Sequence, residues 1–179
     1  FRPNDKILVI SQTGKLKVII PELATHFDED MVVLEKWNPN KPISAIYYDG
    51  EKDRYYIKRF LVENENKEEI FISEHEKSQL EIVSTDWKPM AEVVFAKVKG
   101  EQKETLQVNI EDFIALKGIK AQGNQLTTDK VKQINLLESL PYEEPVAEVP
   151  EEMEVADENN VSDDIKTDLE DDGQITLSL

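Results

Sequence analysis

Lysines spaced to meet phosphate are the residues of this chain most able to do chemistry. They recur in close pairs: Lys15 with Lys17, Lys58 with Arg59, Lys97 with Lys99, Lys117 with Lys120, and Lys130 with Lys132. On an extended chain, residues two apart project from one face. A row of such pairs makes a band of positive potential that contacts phosphates rather than base edges. Binding of that kind is indifferent to sequence and weakens with salt. One stretch concentrates the pattern: residues 117–123, KGIKAQG, set Gly118 and Gly123 around Lys117 and Lys120, directly after the alternating Leu106, Val108 and Ile110. Glycine lets a backbone come close to a bulky partner, and lysine supplies charge for an anionic one. The same residues also suit an ordinary surface turn. No Lys-Ser or Lys-Thr follows the glycines, so the pattern is not that of a nucleotide-phosphate cradle.

Other chemistries have little to stand on. The chain has no Cys, which removes disulfides and thiolate metal sites. His75 stands between Glu74 and Glu76, but neighbours on an extended chain point in opposite directions and do not converge on a metal. His26 is equally isolated. No nucleophile is bracketed by a base, so no catalytic residue and no metal site is expected.

Short strands must position the lysines. Residues 5–20 form two apolar segments joined by Gln12-Thr13-Gly14, a hairpin with glycine at its turn. Residues 31–37, MVVLEKW, read as a strand. Residues 43–62 give a second hairpin about Asp49-Gly50-Glu51-Lys52, with Tyr47, Tyr48, Tyr55 and Tyr56 packing across it. Residues 68–84 read as a third hairpin about His75, and residues 90–110 as a fourth about Gly100. Residues 129–137 are a closing strand or short helix. Four hairpins at rough intervals make a repeat of architecture more than of sequence.

Charge divides the chain. The whole carries a formal charge of -17, yet residues 1–141 hold 20 Lys and Arg against 24 Asp and Glu. Residues 142–179 hold one Lys against 14 Asp and Glu. The first part is expected to be one β-rich domain and the second a disordered acidic tail, too poor in apolar residues to offset the ordering of its backbone. No apolar run nears the roughly 18 residues of a membrane span, and no membrane partner is expected. A soluble, cytoplasmic setting fits this composition. A first residue other than Met fits a piece of a longer polypeptide.

Residues 110–128, IEDFIALKGIKAQGNQLTT, together with the pattern of Asp5, Thr13, Gly14 and Lys17, resemble the C-terminal domain of the A subunit of bacterial type IIA topoisomerases. The likeness is closest to topoisomerase IV of the Bacteroidetes type. In the gyrase relatives this place carries an arginine- and glycine-rich box on which DNA wrapping depends. Here KGIKAQG keeps the outer glycines and two basic residues but not the full box, which argues against strong wrapping. The resemblance implies an all-β fold, a β-pinwheel with a partial or reduced set of blades, that binds and bends double-stranded DNA. It implies a non-catalytic piece, because the DNA-cleaving tyrosine of the family belongs to another domain. ATP and Mg2+ would be used elsewhere in the parent enzyme, which would pair with a topoisomerase B subunit at the nucleoid. The last residues, QITLSL, resemble the short peptide that docks on the polymerase sliding clamp, with Gln174, Leu177 and Leu179 in the anchoring places. A rival reading is therefore a protein-interaction module that recruits such partners and touches DNA little.

Overall fold

A computed structural model describes residues 2, 4–22 and 24–145. The compact unit spans Phe1–Glu143 and is built from short antiparallel strands whose apolar residues alternate. Strands β1 (Ile7–Ser11) and β2 (Lys15–Ile19) form the first hairpin, turning at Gly14 with φ +76°. A side chain there is disfavoured by the backbone itself. The second hairpin joins β4 (Ile43–Asp49) to β5 (Arg54–Phe60), and the third joins β8 (Met90–Phe95) to β9 (Leu106–Asn109). Strands β3 (Met31–Lys36), β7 (Gln79–Ser84) and β11 (Val131–Leu137) each return beside the first strand of a hairpin.

Two further strands of two residues, β6 (Glu69–Ile70) and β10 (Asn124–Gln125), complete the pattern. Three sheets result: sheet I in the order β3-β1-β2-β6, sheet II in the order β10-β5-β4-β7, and sheet III in the order β11-β8-β9. The rule is regular. The place beside the second hairpin strand is filled from the connection that follows the next hairpin, so β6 lies on β2 and β10 on β5. Each donated strand leads into a buried apolar residue. The N–H of Phe71 donates to the Gly14 carbonyl at 2.9 Å, and that of Leu126 to the Tyr55 carbonyl at 2.8 Å.

Successive side chains of a strand face opposite ways, and sheet II uses both faces. Ile43, Ala45, Tyr47 and Phe60 pack with Leu8, Ile10 and Leu16 of sheet I. Ile46, Ile57 and Ile82 pack with Ala91, Val93, Phe95 and Val108 of sheet III. The tyrosines pack across the second hairpin as expected, Tyr47 stacked on Tyr56 with centroids 5.8 Å apart and Tyr48 tilted against Tyr55 at 5.2 Å.

The expected hairpin over residues 68–84 does not form. Its halves, β6 and β7, belong to sheets I and II. Phe71 and Ile72 are drawn into the first core, which carries the chain across between the two sheets. A single helical turn, α1 (Ile110–Phe113), follows β9, and the Asn109 side chain caps it by accepting the N–H of Glu111. Among the described residues no helix is long and apolar enough to cross a membrane.

Candidate nucleic-acid interface

The glycine and lysine loop after α1 is a tie between sheets. Its Ile119 is fully buried in the core between sheets I and II, although the loop belongs to the connection that follows the third hairpin. The Lys117 N–H donates to the Arg59 carbonyl at 2.9 Å, and a turn closes from the Ala121 N–H to the Gly118 carbonyl at 3.0 Å. Glu63 accepts the Ile119 N–H at 3.0 Å, and a Cβ on Gly118 would stand 3.2 Å from that same carboxylate oxygen. Gly123 is required twice over. Its φ is +88°, and a Cβ there would lie 2.2 Å from the Ile57 carbonyl oxygen.

Beneath the loop sits Lys58, 2% exposed. Its ammonium donates to the carbonyls of Phe71, Ile119 and Ala121, each at 2.7 Å. Three donors meet three acceptors, which is the condition for burying a charge without a carboxylate. Burial pushes the Lys58 pKa down to about 8; the nearby Lys120 ammonium adds to the fall, and Glu63 opposes it. Around this centre the Tyr47 hydroxyl donates to the Gln122 carbonyl, the Gln122 amide donates to Asp49, and Lys52 donates to the Gln122 side chain. Burial, with Asp49 and Tyr56 adding to it, raises the Tyr47 pKa far above the usual phenol range.

Lys58 and Arg59 therefore leave the expected basic surface. Both are buried, on opposite faces of β5; Arg59 reaches only the Trp87 carbonyl at 3.4 Å, and its Nε has no partner. The sequence carries the signal for Lys58, because Tyr56, Lys58 and Phe60 fall on one face of an alternating strand. The other lysines stay outside. Lys15 stands 3.6 Å from Glu68, and Lys17 borders a cleft that also holds Asp28 and Asp30. Lys117 donates to the Asn124 side chain, and Lys120 lies 3.5 Å from the Ile70 carbonyl. Lys97 and Lys132 are exposed.

Only some of these residues come together. Lys99, with φ +51°, shares a cleft of about 520 Å³ with Lys103, Lys130 and the carboxylates of Glu101 and Asp129. Lys130 also borders a second cleft of about 540 Å³ with Tyr48, Arg54 and Tyr55. Lys103 and Arg54 were not among the expected residues; Lys103 belongs to no close pair, whereas Arg54 stands two residues from Lys52, the spacing of Lys15 with Lys17. Lys103 is partnered by Asp129, which holds the Asp129 carboxyl below its usual range. Among the described residues no group of three His, Cys, Asp or Glu gathers as a metal site. Gln174, Leu177 and Leu179 lie outside the described residues.

No curated protein matches the chain. A family model does: the topoisomerase C-terminal domain of Bacteroidota, over residues 1–138. Three-quarters of the sequence falls under that match, including all three sheets and the loop that ties them, and the chain belongs to this family of topoisomerase C-terminal domains.

Proposed function

We propose that the three sheets are blades of a β-pinwheel that binds and bends duplex DNA without regard to sequence. In this reading the domain serves a topoisomerase IV A subunit at the nucleoid, presenting DNA to a cleavage core for decatenation and relaxation. ATP, Mg2+ and the B subunit engage other parts of that enzyme. The observation that carries the proposal is the meeting of the exposed Lys99 and Lys130 at one cleft, where Lys103 is held by Asp129, with Arg54 at the cleft adjoining through Lys130. Phosphates spaced along a duplex suit lysines spread over adjoining clefts, and no base-reading side chain is needed.

The test is fluorescence anisotropy with a duplex of about 40 base pairs over a salt series, a length that spans several phosphate contacts. Each phosphate neutralised contributes about 0.9 to the slope of log affinity against log salt, so K99A/K130A should lower the slope by about 2. K117A/K120A tests the loop in the same way. Absence of binding at about 50 mM salt would sink the proposal, since electrostatic binding is strongest there. A second reading, the protein-interaction module, has its own support. Lys58 and Arg59 are buried, and Lys6, Lys15, Lys36 and Lys103 are paired with carboxylates, which leaves fewer free cations than the sequence promises.

A further inference from the structure

The second hairpin carries two tyrosine pairs on opposite faces. Tyr47 and Tyr56, 2% and 7% exposed, belong to the core between sheets I and II. Tyr48 and Tyr55 stay partly exposed and line the cleft of about 540 Å³ that Lys130 borders, with Arg54 at the head of β5 beside them. Cavities of roughly 300–1,000 Å³ are those that enclose small ligands.

The charges on these walls leave two cations available. Arg54 and Lys130 are exposed and enter no ion pair among the described residues. The carboxylates that share the cleft are already engaged: Asp53 accepts the Tyr48 hydroxyl, and Asp129 accepts the Lys103 ammonium and the Thr127 hydroxyl. Glu81, which also stands near Tyr55, does not line the cleft. With Lys103 counted, three cations face two carboxylates. Groups for a base edge are at hand in the Gln125 amide, which donates to the Thr127 carbonyl at 3.0 Å, and in the exposed Thr128 hydroxyl.

Phosphate contact alone leaves the rings without a role. In a duplex the faces of each base are covered by its neighbours in the stack, so an aromatic side chain gains nothing from a paired base. An unpaired base offers a free face, and stacking on an aromatic ring then adds affinity whatever the base. Cations beside the ring hold the phosphates on either side.

We propose that this cleft takes an unpaired nucleotide of DNA, its base against Tyr48 and Tyr55 and its flanking phosphates on Arg54 and Lys130. The proposal rests on the reading of the domain as a DNA binder and adds to it a preference for duplex that is bulged or opened. The domain stays indifferent to sequence, since every base has a face to stack, but not to the pairing of the DNA it holds.

The probes are two duplexes of about 40 base pairs, one fully paired and one with two unpaired thymines at its centre, bound to the 179-residue chain at about 100 mM salt and followed by anisotropy. The bulged duplex should bind about tenfold tighter, in the lower part of the range for stacking a base on an aromatic ring. Y48A should bring the two duplexes to equal affinity, and Y48F, which keeps the ring, should retain the preference. Equal thermal melting of both variants and the wild type separates this result from misfolding. With 5-iododeoxyuridine in place of an unpaired thymidine, irradiation should join the DNA to Tyr48 or Tyr55, read by mass spectrometry of the linked peptide. A preference that survives Y48A, its loss in Y48F or a cross-link confined to other residues would each overturn the proposal. Equal binding of the two duplexes by the wild type would overturn this proposal and leave the duplex reading standing. Binding of the bulged duplex with none of the paired one at about 50 mM salt would do the reverse. Failure to bind either would sink both.

Discussion

An ammonium with three carbonyl oxygens at 2.7 Å has no donor left for a phosphate. Lys58 is thus the residue at which a charge pattern in the sequence and a packing pattern conflict, and packing prevails. Replacing it by Met keeps the volume of the stem but leaves the carbonyls of Phe71, Ile119 and Ala121 without a donor. K58M should cost about 3–5 kcal/mol in urea unfolding, the range for breaking a buried charged network. The pH dependence follows from the fall of its pKa to about 8. Unfolded, a lysine titrates near 10.4, so between those values the unfolded chain holds more proton and stability rises with pH. That gain is lost as pH falls through about 8. Wild type measured against K58M should therefore gain about 1 kcal/mol between about pH 7.5 and 9, and a flat difference would mean that the carbonyls hold the proton on Lys58.

At the scale of elements, much of the fold was legible where alternation runs over five residues or more. The strands about Gly14 and the tyrosine hairpin follow from apolar residues recurring two apart, whereas residues 129–137 were open between strand and short helix and form β11. The donated strands were not legible, because two residues carry no period. Residues 68–84 show the failure: each half reads as a strand, and nothing local says that the halves join different sheets. The loop at residues 117–123 fails in a related way. Its glycines suggested close approach to a ligand, but the surface that Gly123 approaches is the Ile57 carbonyl of its own chain. G123A forces a side chain into positive φ and onto that oxygen. It should lower stability by more than about 2 kcal/mol, and hydrogen exchange should quicken at Asn124 and Leu126 first, since their backbone bonds hold β10 to β5.

For the whole molecule, the uneven division of charge suggests a further effect. Residues 142–179 carry 14 acidic residues against one lysine, beside a nearly balanced remainder. As a hypothesis, the tail competes with duplex DNA for exposed lysines such as Lys99 and Lys130. Removing residues 144–179 should then tighten DNA binding several-fold at about 50 mM salt and have little effect at about 300 mM, where screening is stronger. Equal affinity of the two lengths at low salt would rule the competition out. The division itself was legible from composition. Which lysines share a cleft was not, because Lys99 and Lys103 lie in the β8–β9 connection and meet Lys130 only where the chain enters β11 beside the end of β8, the Lys130 carbonyl accepting the Ala96 N–H.

The donation of strands from later in the chain also sets a timetable on the ribosome. Sheet I has its hairpin by Ile19, but its last strand is Glu69–Ile70, about 50 residues on. At about 5–20 residues per second, β2 emerges about 3–10 s before the strand that covers its edge. Sheet II waits longer still, since β5 ends at Phe60 and β10 begins at Asn124. A nascent chain of this design therefore exposes a succession of unfinished edges, each sealed only when the next hairpin has been made, and synthesis speed becomes one of the variables on which correct folding depends.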